Sequence, residues 1–404
     1  MSNLKLRVRN DQFGVTLIEL MISIALGLGV LLAMSAVYVA AKQSFRFQET
    51  AGRLQEDATF ALESISKDLR MAGFAGCRGV DGLIVSSVLT YYPQLSLSSA
   101  SPDGINGPNP MATVFPSEAM VTMQPLSPSN FLRGFDGSTF PTTMFALAAQ
   151  PITVGADSLF FSSGGANAVS LTSAQTFSDE VLTIGSDPFG WHNATANGGV
   201  YTMIVSDCAK SSIFAAKTAA SGLQISHAAA LGNTADTFPS NAMYGTDALV
   251  MPVEWSFYYI ATRSGADTPS LYRVTFDGNA RKNAEELVAN VEGMRIHYGE
   301  NLNGVDSATS SSCILSSGGA TCVATLQADV WRTSAASVTN WSRVVAVRIG
   351  LMMVSDDSRA NIDVTPASPT LLGLSYTLPT GALSTRLRKE FSTTVVLRNR
   401  VAPR

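Results

Sequence analysis

The chain has 404 residues, of which 46% are hydrophobic, 14% charged and 8% aromatic, a charge density well below the quarter usual for soluble domains. This composition excludes a disordered or collagen-like chain, and the length is enough to bury a large core. A formal net charge of −4, from 27 Lys+Arg against 31 Asp+Glu, supplies no global positive field for nucleic acid, so charge placement has to decide.

At the amino terminus Lys5, Arg7 and Arg9 precede Asp11-Gln12-Phe13-Gly14. Val15 to Ala41 then runs through apolar and small residues with Glu19 as its single charged group, leaving 22 uncharged residues from Leu20 to Ala41. As a helix that stretch is about 33 Å long, which matches a hydrocarbon core of about 30 Å. A cleaved secretory signal is the rival reading, but its apolar region is normally about 7–15 residues and is followed by a break. Here helical character continues. The basic residues hold the amino-terminal end in the cytoplasm, which sends everything after Lys42 outward. An ionised Glu19 inside the membrane costs about 2.5–3.5 kcal/mol on insertion scales, so it calls for a partner of opposite charge. A cut between Gly14 and Val15 would create an α-amino cation within one or two helical turns of it.

Beyond Lys42 the residues Leu54, Ala58, Ala61, Ile65, Leu69 and Ala72 recur at spacings of three and four, the period of an amphipathic helix. Polar Gln55, Glu56, Glu63, Lys67 and Asp68 fill the remaining surface. From Val15 to Ala72 the helix is about 87 Å long. Gly73, Gly76 and Gly79 end it.

From Cys77 the chain reads as strands, turns and Ser/Thr/Gly-rich loops, with no Lys or Arg between Arg133 and Lys210, which argues against a nucleic-acid surface there. Alternation at Val253, Trp255, Phe257 and Tyr259, at Val345, Val347, Ile349, Leu351 and Met353, and at Phe391, Thr393, Val395 and Leu397 predicts half-buried strands. Strands are also predicted over Leu271–Phe276 and Met294–Tyr298, with a short helix over Ala284–Val291 between them. Glu300, Asn301, Asn303 and Asp306 form an oxygen-rich loop whose spacing misses the EF-hand pattern and reads as a solvated turn, with calcium left open. Arg398 and Arg400 read as strand-end surface charges. His192, His227 and His297 show no HExxH arrangement, and no Gly-x-Ser-x-Gly elbow occurs. No catalytic residue, metal site or cofactor is therefore predicted.

The four cysteines, Cys77, Cys208, Cys313 and Cys322, all lie on the exported side, where disulfides form. Their spacings of 131, 105 and 9 residues are not paired zinc-ligand spacings. Of the three possible pairings, the Gly/Ser-rich segment between Cys313 and Cys322 favours joining those two, with Cys77 and Cys208 as the other bridge. Free thiols are the alternative.

The segment Phe13-Gly14-Val15-Thr16-Leu17-Ile18-Glu19-Leu20-Met21 resembles the class III signal of type IV prepilins and type II secretion pseudopilins. Four further blocks resemble the PilW family of type IV pilus minor pilins: Asp68-Leu69-Arg70-Met71-Ala72-Gly73-Phe74-Ala75-Gly76-Cys77; Val205-Ser206-Asp207-Cys208; Leu287-Val288-Ala289-Asn290-Val291-Glu292-Gly293-Met294 with Tyr298-Gly299; and Val396-Leu397-Arg398-Asn399-Arg400. Together they span almost the whole chain. The resemblance implies an α+β fold, with a long pilin helix, membrane half plus amphipathic half, packed on a large, mainly antiparallel β-rich head. It implies a cleaved leader over 1–14, a transmembrane and fibre-core helix over 15–41, its amphipathic continuation over 42–76 and an extracytoplasmic head over 77–404.

It further implies that a prepilin peptidase cuts after Gly14 and methylates Val15, where the family more commonly has Phe, and that Glu19 sets register against a neighbouring amino terminus. Pairing of Cys77 with Cys208 gains support from it, because both lie in recurring blocks. The implied partners are other minor pilins, the major pilin and a tip-associated adhesin. The implied path runs from the inner membrane, with the head in the periplasm, to the pilus at or near its tip. The implied role is priming of pilus assembly, with twitching motility and cell adhesion downstream; a minor pseudopilin of a type II secretion system is the alternative. Without its 14 leader residues the chain carries 24 basic against 30 acidic residues, a formal charge of −6.

Overall fold

The computed structural model describes residues 16–76, 131–137, 153–302, 314–316, 319–321, 328–358, 369–377 and 386–400, apart from positions 154, 177, 208–209, 232, 234, 239–242, 264 and 281. One long helix, α1 (Leu17–Met71), opens the described chain, within two residues of the span that periodicity predicts. No proline interrupts it. The hydroxyls of Ser23 and Ser35 donate to the carbonyls of Glu19 and Leu31, each at 2.8 Å, so neither polar group is left unsatisfied on the apolar surface. Farther along, Glu49 and Arg53 pair one turn apart at 2.8 Å.

The chain divides into two compact units, one up to Arg53 and one from Leu54 to Arg404. In the first unit the helix is apolar and exposed along its length: Leu17, Leu32, Val37 and Tyr38 stand open, and it is long and apolar enough to cross a membrane. In the second unit the predicted stripe of Leu54, Ala58, Ala61, Ile65, Leu69 and Ala72 is at most 3% exposed throughout. Burying Ile65 and Leu69 alone contributes about 1.5–3 kcal/mol each.

The second unit is built on strands. β1 (Leu132–Phe135), β2 (Ser158–Gly164), β3 (Val169–Ser170), β4 (Val181–Thr183), β5 (Val200–Ser206), β6 (Ser211–Thr218), β7 (Gln224–Ser226), β8 (Leu249–Ala261), β9 (Ser270–Phe276) and β10 (Glu285–Ala289) form one antiparallel sheet. Its order is β1-β2-β8-β5-β6-β7-β4, with β3 and β9 on β8 and β10 on β9. β11 (Val291–Glu300), β14 (Val330–Arg332), β15 (Val344–Ser358) and β18 (Arg386–Val396) form a second antiparallel sheet in the order β14-β11-β15-β18. The hairpins β12 (Ile314–Ser316) with β13 (Gly319–Thr321) and β16 (Thr370–Leu371) with β17 (Leu374–Ser375) complete the described strands.

Both sheets share a core with the helix. The α1 stripe packs with Leu159, Phe161, Tyr258 and Ile260 of the first sheet and Met294, Ile296, Val347 and Ile349 of the second. Asp157, 1% exposed, ties the sheets together: its carboxylate accepts from the Ile296 N–H at 2.9 Å and the Gly137 N–H at 3.3 Å. Close approach explains one glycine here, since any Cβ on Gly134 would collide with the Tyr298 phenol.

Three expectations are corrected. Residues 284–291 form no helix: β10 pairs with β9, setting Glu285 opposite Arg273 and Glu286 opposite Tyr272, and Asn290 turns the chain at φ 63. Cross-strand pairing there overrides the helical propensity of Glu-Glu-Leu. The β8 and β15 strands are not half-buried. Trp255, Phe257 and Tyr259 join an aromatic layer with Phe160, Tyr272 and Phe276 while Tyr258 and Ile260 face α1; Ala346 and Met352 are buried opposite Val347 and Leu351. β18 does keep its alternation, being an edge strand.

Candidate functional site

The first functional element is the start of α1. Thr16 Oγ1 accepts from the Glu19 backbone N–H at 3.4 Å, which occupies one of the orphan donors of the first turn. Glu19 lies in that turn, exposed among exposed apolar side chains. Gly14 and Val15, where cleavage and methylation are expected, lie outside the described residues.

The second element is the other end of the helix, where five parts of the head hold residues 68–76. Asp68 Oδ2 accepts from Tyr258 Oη at 2.6 Å and from Arg273 Nη1 at 3.0 Å, and Arg273 Nη2 reaches Glu285 at 2.9 Å. Burial and the adjacent Asp68 carboxylate push the Tyr258 phenol up, so it stays a donor. The Gly73 N–H donates to the Ser162 carbonyl at 2.8 Å, and Gly164 N–H returns a bond to the Phe74 carbonyl at 2.6 Å. Asn399 Nδ2 donates to the carbonyls of Arg70 and Ala72, each at 3.2 Å, satisfying acceptors that a helix end leaves open. Ser211 Oγ donates to the Ala75 carbonyl at 3.0 Å and meets Ser206 Oγ at 2.6 Å; a Cβ on Gly76, at φ 96, would strike Ser206.

Beside this anchor is a cleft of about 340 Å³ that includes Asp68, Glu254, Asp277, Arg273 and Trp255 in its lining. Burial, then Asp277 and Asp68, raise the Glu254 carboxyl above its usual range.

A third arrangement holds β18 to β11. Arg388 and Glu292 form a bidentate pair across the sheet at 2.6 and 2.8 Å, with side chains only 4% and 6% exposed. Glu300 is likewise consumed by the fold. It is fully buried at the end of β11, bound to Arg332 at 2.5 Å and accepting from the Thr339 N–H and hydroxyl and the Asn340 N–H at 2.8–2.9 Å. The expected solvated turn is therefore corrected at Glu300, while Asn303 and Asp306 lie outside the described residues. Among the described residues no group of three His, Cys, Asp or Glu side chains could hold a metal ion.

Cys77, Cys208, Cys313 and Cys322 all lie outside the described residues. Sequence reasoning placed Asn399 and Glu292 in recurring blocks without a role for either, and it counted Asp68 as surface. Asp68 could have been flagged as the one acid flanking the apolar stripe at its head-proximal end.

Residues 257–399 match the model of the PilW family, Type IV Pilus-assembly protein W. No curated protein is similar to the chain. A solved type IV-like pilin from Thermus thermophilus aligns at 14% identity and a TM-score of 0.18, covering 50% of this chain and 84% of that one. The matched region runs from the middle of β8 to Asn399 and contains the Arg273, Glu292–Arg388 and Asn399 contacts. Over these residues, about a third of the chain, the protein is similar to the PilW family of Type IV Pilus-assembly proteins.

Proposed function

We propose that the chain is a minor pilin that assembles through its N-terminal helix into a priming or tip complex of a type IV pilus and promotes pilus biogenesis. The observation that carries this reading is a single uninterrupted helix whose first half exposes apolar residues and whose second half is built into the core of a head with a PilW-family region. Such a subunit waits in the inner membrane with its head in the periplasm, and leaves by exchanging lipid for neighbouring helices.

In this reading residues 1–14 are a leader removed by the prepilin peptidase, Val15 is the methylated amino terminus, 15–41 form the fibre core, 42–76 continue the helix and 77–404 form the head. Glu19, the one charged residue between Val15 and Ala41, pairs with the amino terminus of an adjacent pilin. Other minor pilins, the major pilin and a tip adhesin are the partners. The PilW match favours the pilus over a type II secretion pseudopilus.

The test is Glu19→Ala. Membrane insertion should persist, because the change removes a cost of about 2.5–3.5 kcal/mol. The amount of this chain in sheared fibres should fall by about tenfold or more as the pairing is lost. Wild-type levels in sheared fibres would overturn the role given to Glu19.

A further inference from the structure

Among the described residues the second sheet ends on β18, and no strand lies on the outer edge of that strand. Pairing with β15 is regular from Ala346↔Val396 to Val354↔Arg388, and the Leu397 N–H donates to the Val345 carbonyl at 2.9 Å. Bonded and non-bonded positions alternate along an antiparallel pair, so Phe391, Thr393 and Val395 direct their backbone groups at β15. Glu390, Ser392, Thr394 and Val396 direct theirs outward, where no backbone partner meets them among the described residues.

Length sets this edge apart. The end strands β1, β4, β10 and β14 have 4, 3, 5 and 3 residues, whereas β18 has 11. Neither proline nor bulge interrupts it from Arg388 to Val396, and the charges that also blunt an edge against strand addition stop at Glu390, leaving Phe391 to Val396 uncharged. Alongside it, a groove of about 750 Å³ opens between β18 and α1. Half-buried Leu62 and Phe391 give it an apolar lining, while exposed Phe60, Glu63, Lys67 and Arg70 border it. Lys67 and Arg70 have no ion pair among the described residues.

We propose that this edge and groove seat an extended, acid-bearing segment of another fibre subunit, which adds a strand to β18. The open backbone groups of Glu390, Ser392, Thr394 and Val396 supply the hydrogen bonds, alternate side chains of the incoming strand lie on Leu62 and Phe391, and an acidic residue meets Lys67 or Arg70. The inference rests on the assembly reading above and adds the mode of contact to it.

Backbone hydrogen exchange resolved to single residues tests it, on the full-length protein in detergent and on the same protein co-purified with the major and minor pilins of its own cells. The Thr393 and Val395 amides, bonded to β15, should be protected in both samples. Those of Ser392 and Thr394 should exchange freely in the isolated protein and at least about tenfold more slowly in the complex. Unchanged exchange at Ser392 and Thr394 in a complex that does contain other pilins overturns the edge proposal and leaves the assembly reading standing. Failure of any pilin to co-purify removes both. Protection that rises with concentration in the isolated protein identifies a second copy as the occupant and overturns the proposed one. As a second variant, Ser392→Pro removes an N–H that faces away from β15, a position where an edge strand tolerates proline. Its melting temperature should match the parent while recovery of the complex drops about tenfold, and Ser392→Val should restore recovery. Full recovery with Ser392→Pro also overturns the proposal.

Discussion

Replacing Glu292 with Ala leaves the Arg388 guanidinium, 4% exposed, without the carboxylate that engages it at 2.6 and 2.8 Å. The lost attraction is only part of the cost. A buried cation that has given up its hydration and then loses its counter-charge costs about 3–5 kcal/mol, a large share of the 5–15 kcal/mol by which folded domains are stable. The Tyr376 phenol, which packs over Gly293 and bonds to Glu292, loses its acceptor as well. Arg388→Ala strands the opposite charge and should cost a similar amount.

The double variant Glu292→Met/Arg388→Leu removes both charges and keeps the volume filled, so it should recover most of the loss, since apolar replacement of a whole buried pair is often neutral. Urea unfolding of the full-length protein in detergent, followed by tryptophan fluorescence, gives the four stabilities and their coupling. A single variant within 1 kcal/mol of the parent, or a double variant as unstable as the sum of the singles, would refute the reasoning.

Asn399→Ala removes the donor from the Arg70 and Ala72 carbonyls and should cost about 1–2 kcal/mol, with faster amide exchange in residues 68–74; Asn399→Asp should cost more, because it sets a negative charge at a helix C-terminus. The pH profile should carry two opposed contributions. His227, fully buried between Phe214 and Phe238, is pulled by burial from 6.5 to about 4. Its contribution is complete above 6.5 and declines as pH falls toward 4, about 2 kcal/mol going between pH 7 and 5. Burial instead raises Asp157 from 3.8 to about 6, so its contribution is complete below 3.8 and is lost as pH rises through 6; acidification from 7 to 5 returns about 1 kcal/mol. His227→Leu should therefore gain stability over that interval and Asp157→Asn should lose it, and parallel profiles for the two variants would contradict the assignment. For the cysteines, the contact of Ala75 and Gly76 with Ser206 and Ser211 favours a Cys77–Cys208 bridge, and the β12–β13 hairpin lies between Cys313 and Cys322. Non-reducing peptide maps should show both pairs, and Cys77→Ser should cost about 5 kcal/mol against about 3 for Cys313→Ser; a map joining Cys77 to Cys313 or Cys322 would exclude the assignment.

How far each feature was legible follows from the range of the forces behind it. Helix hydrogen bonds close between residues four apart, so an uninterrupted run without proline and the stripe from Leu54 to Ala72 already contain the helix, its exposed apolar half and its buried face. The isolated charge at Glu19 is legible for the same reason: its context is its own neighbours. Strands such as β18 and β11 announce themselves by alternation, but what covers their second face comes from remote segments, and that is why the β8 aromatic layer and the true surroundings of Glu300 were not visible. At residues 285–289 a helical local preference yielded to pairing with β9.

By itself, then, the sequence determined a membrane-length helix continued into an amphipathic one and a β-rich body, since these depend on local pattern and composition. Tertiary structure alone decided that Asp68, Arg273 and Asn399 anchor the helix end, that Glu292 closes on Arg388, and that β18 is the last strand of its sheet among the described residues. Each of those requires groups up to some 330 positions apart, such as Arg70 and Asn399, to be brought within hydrogen-bond range, and no local period encodes which distant partner arrives.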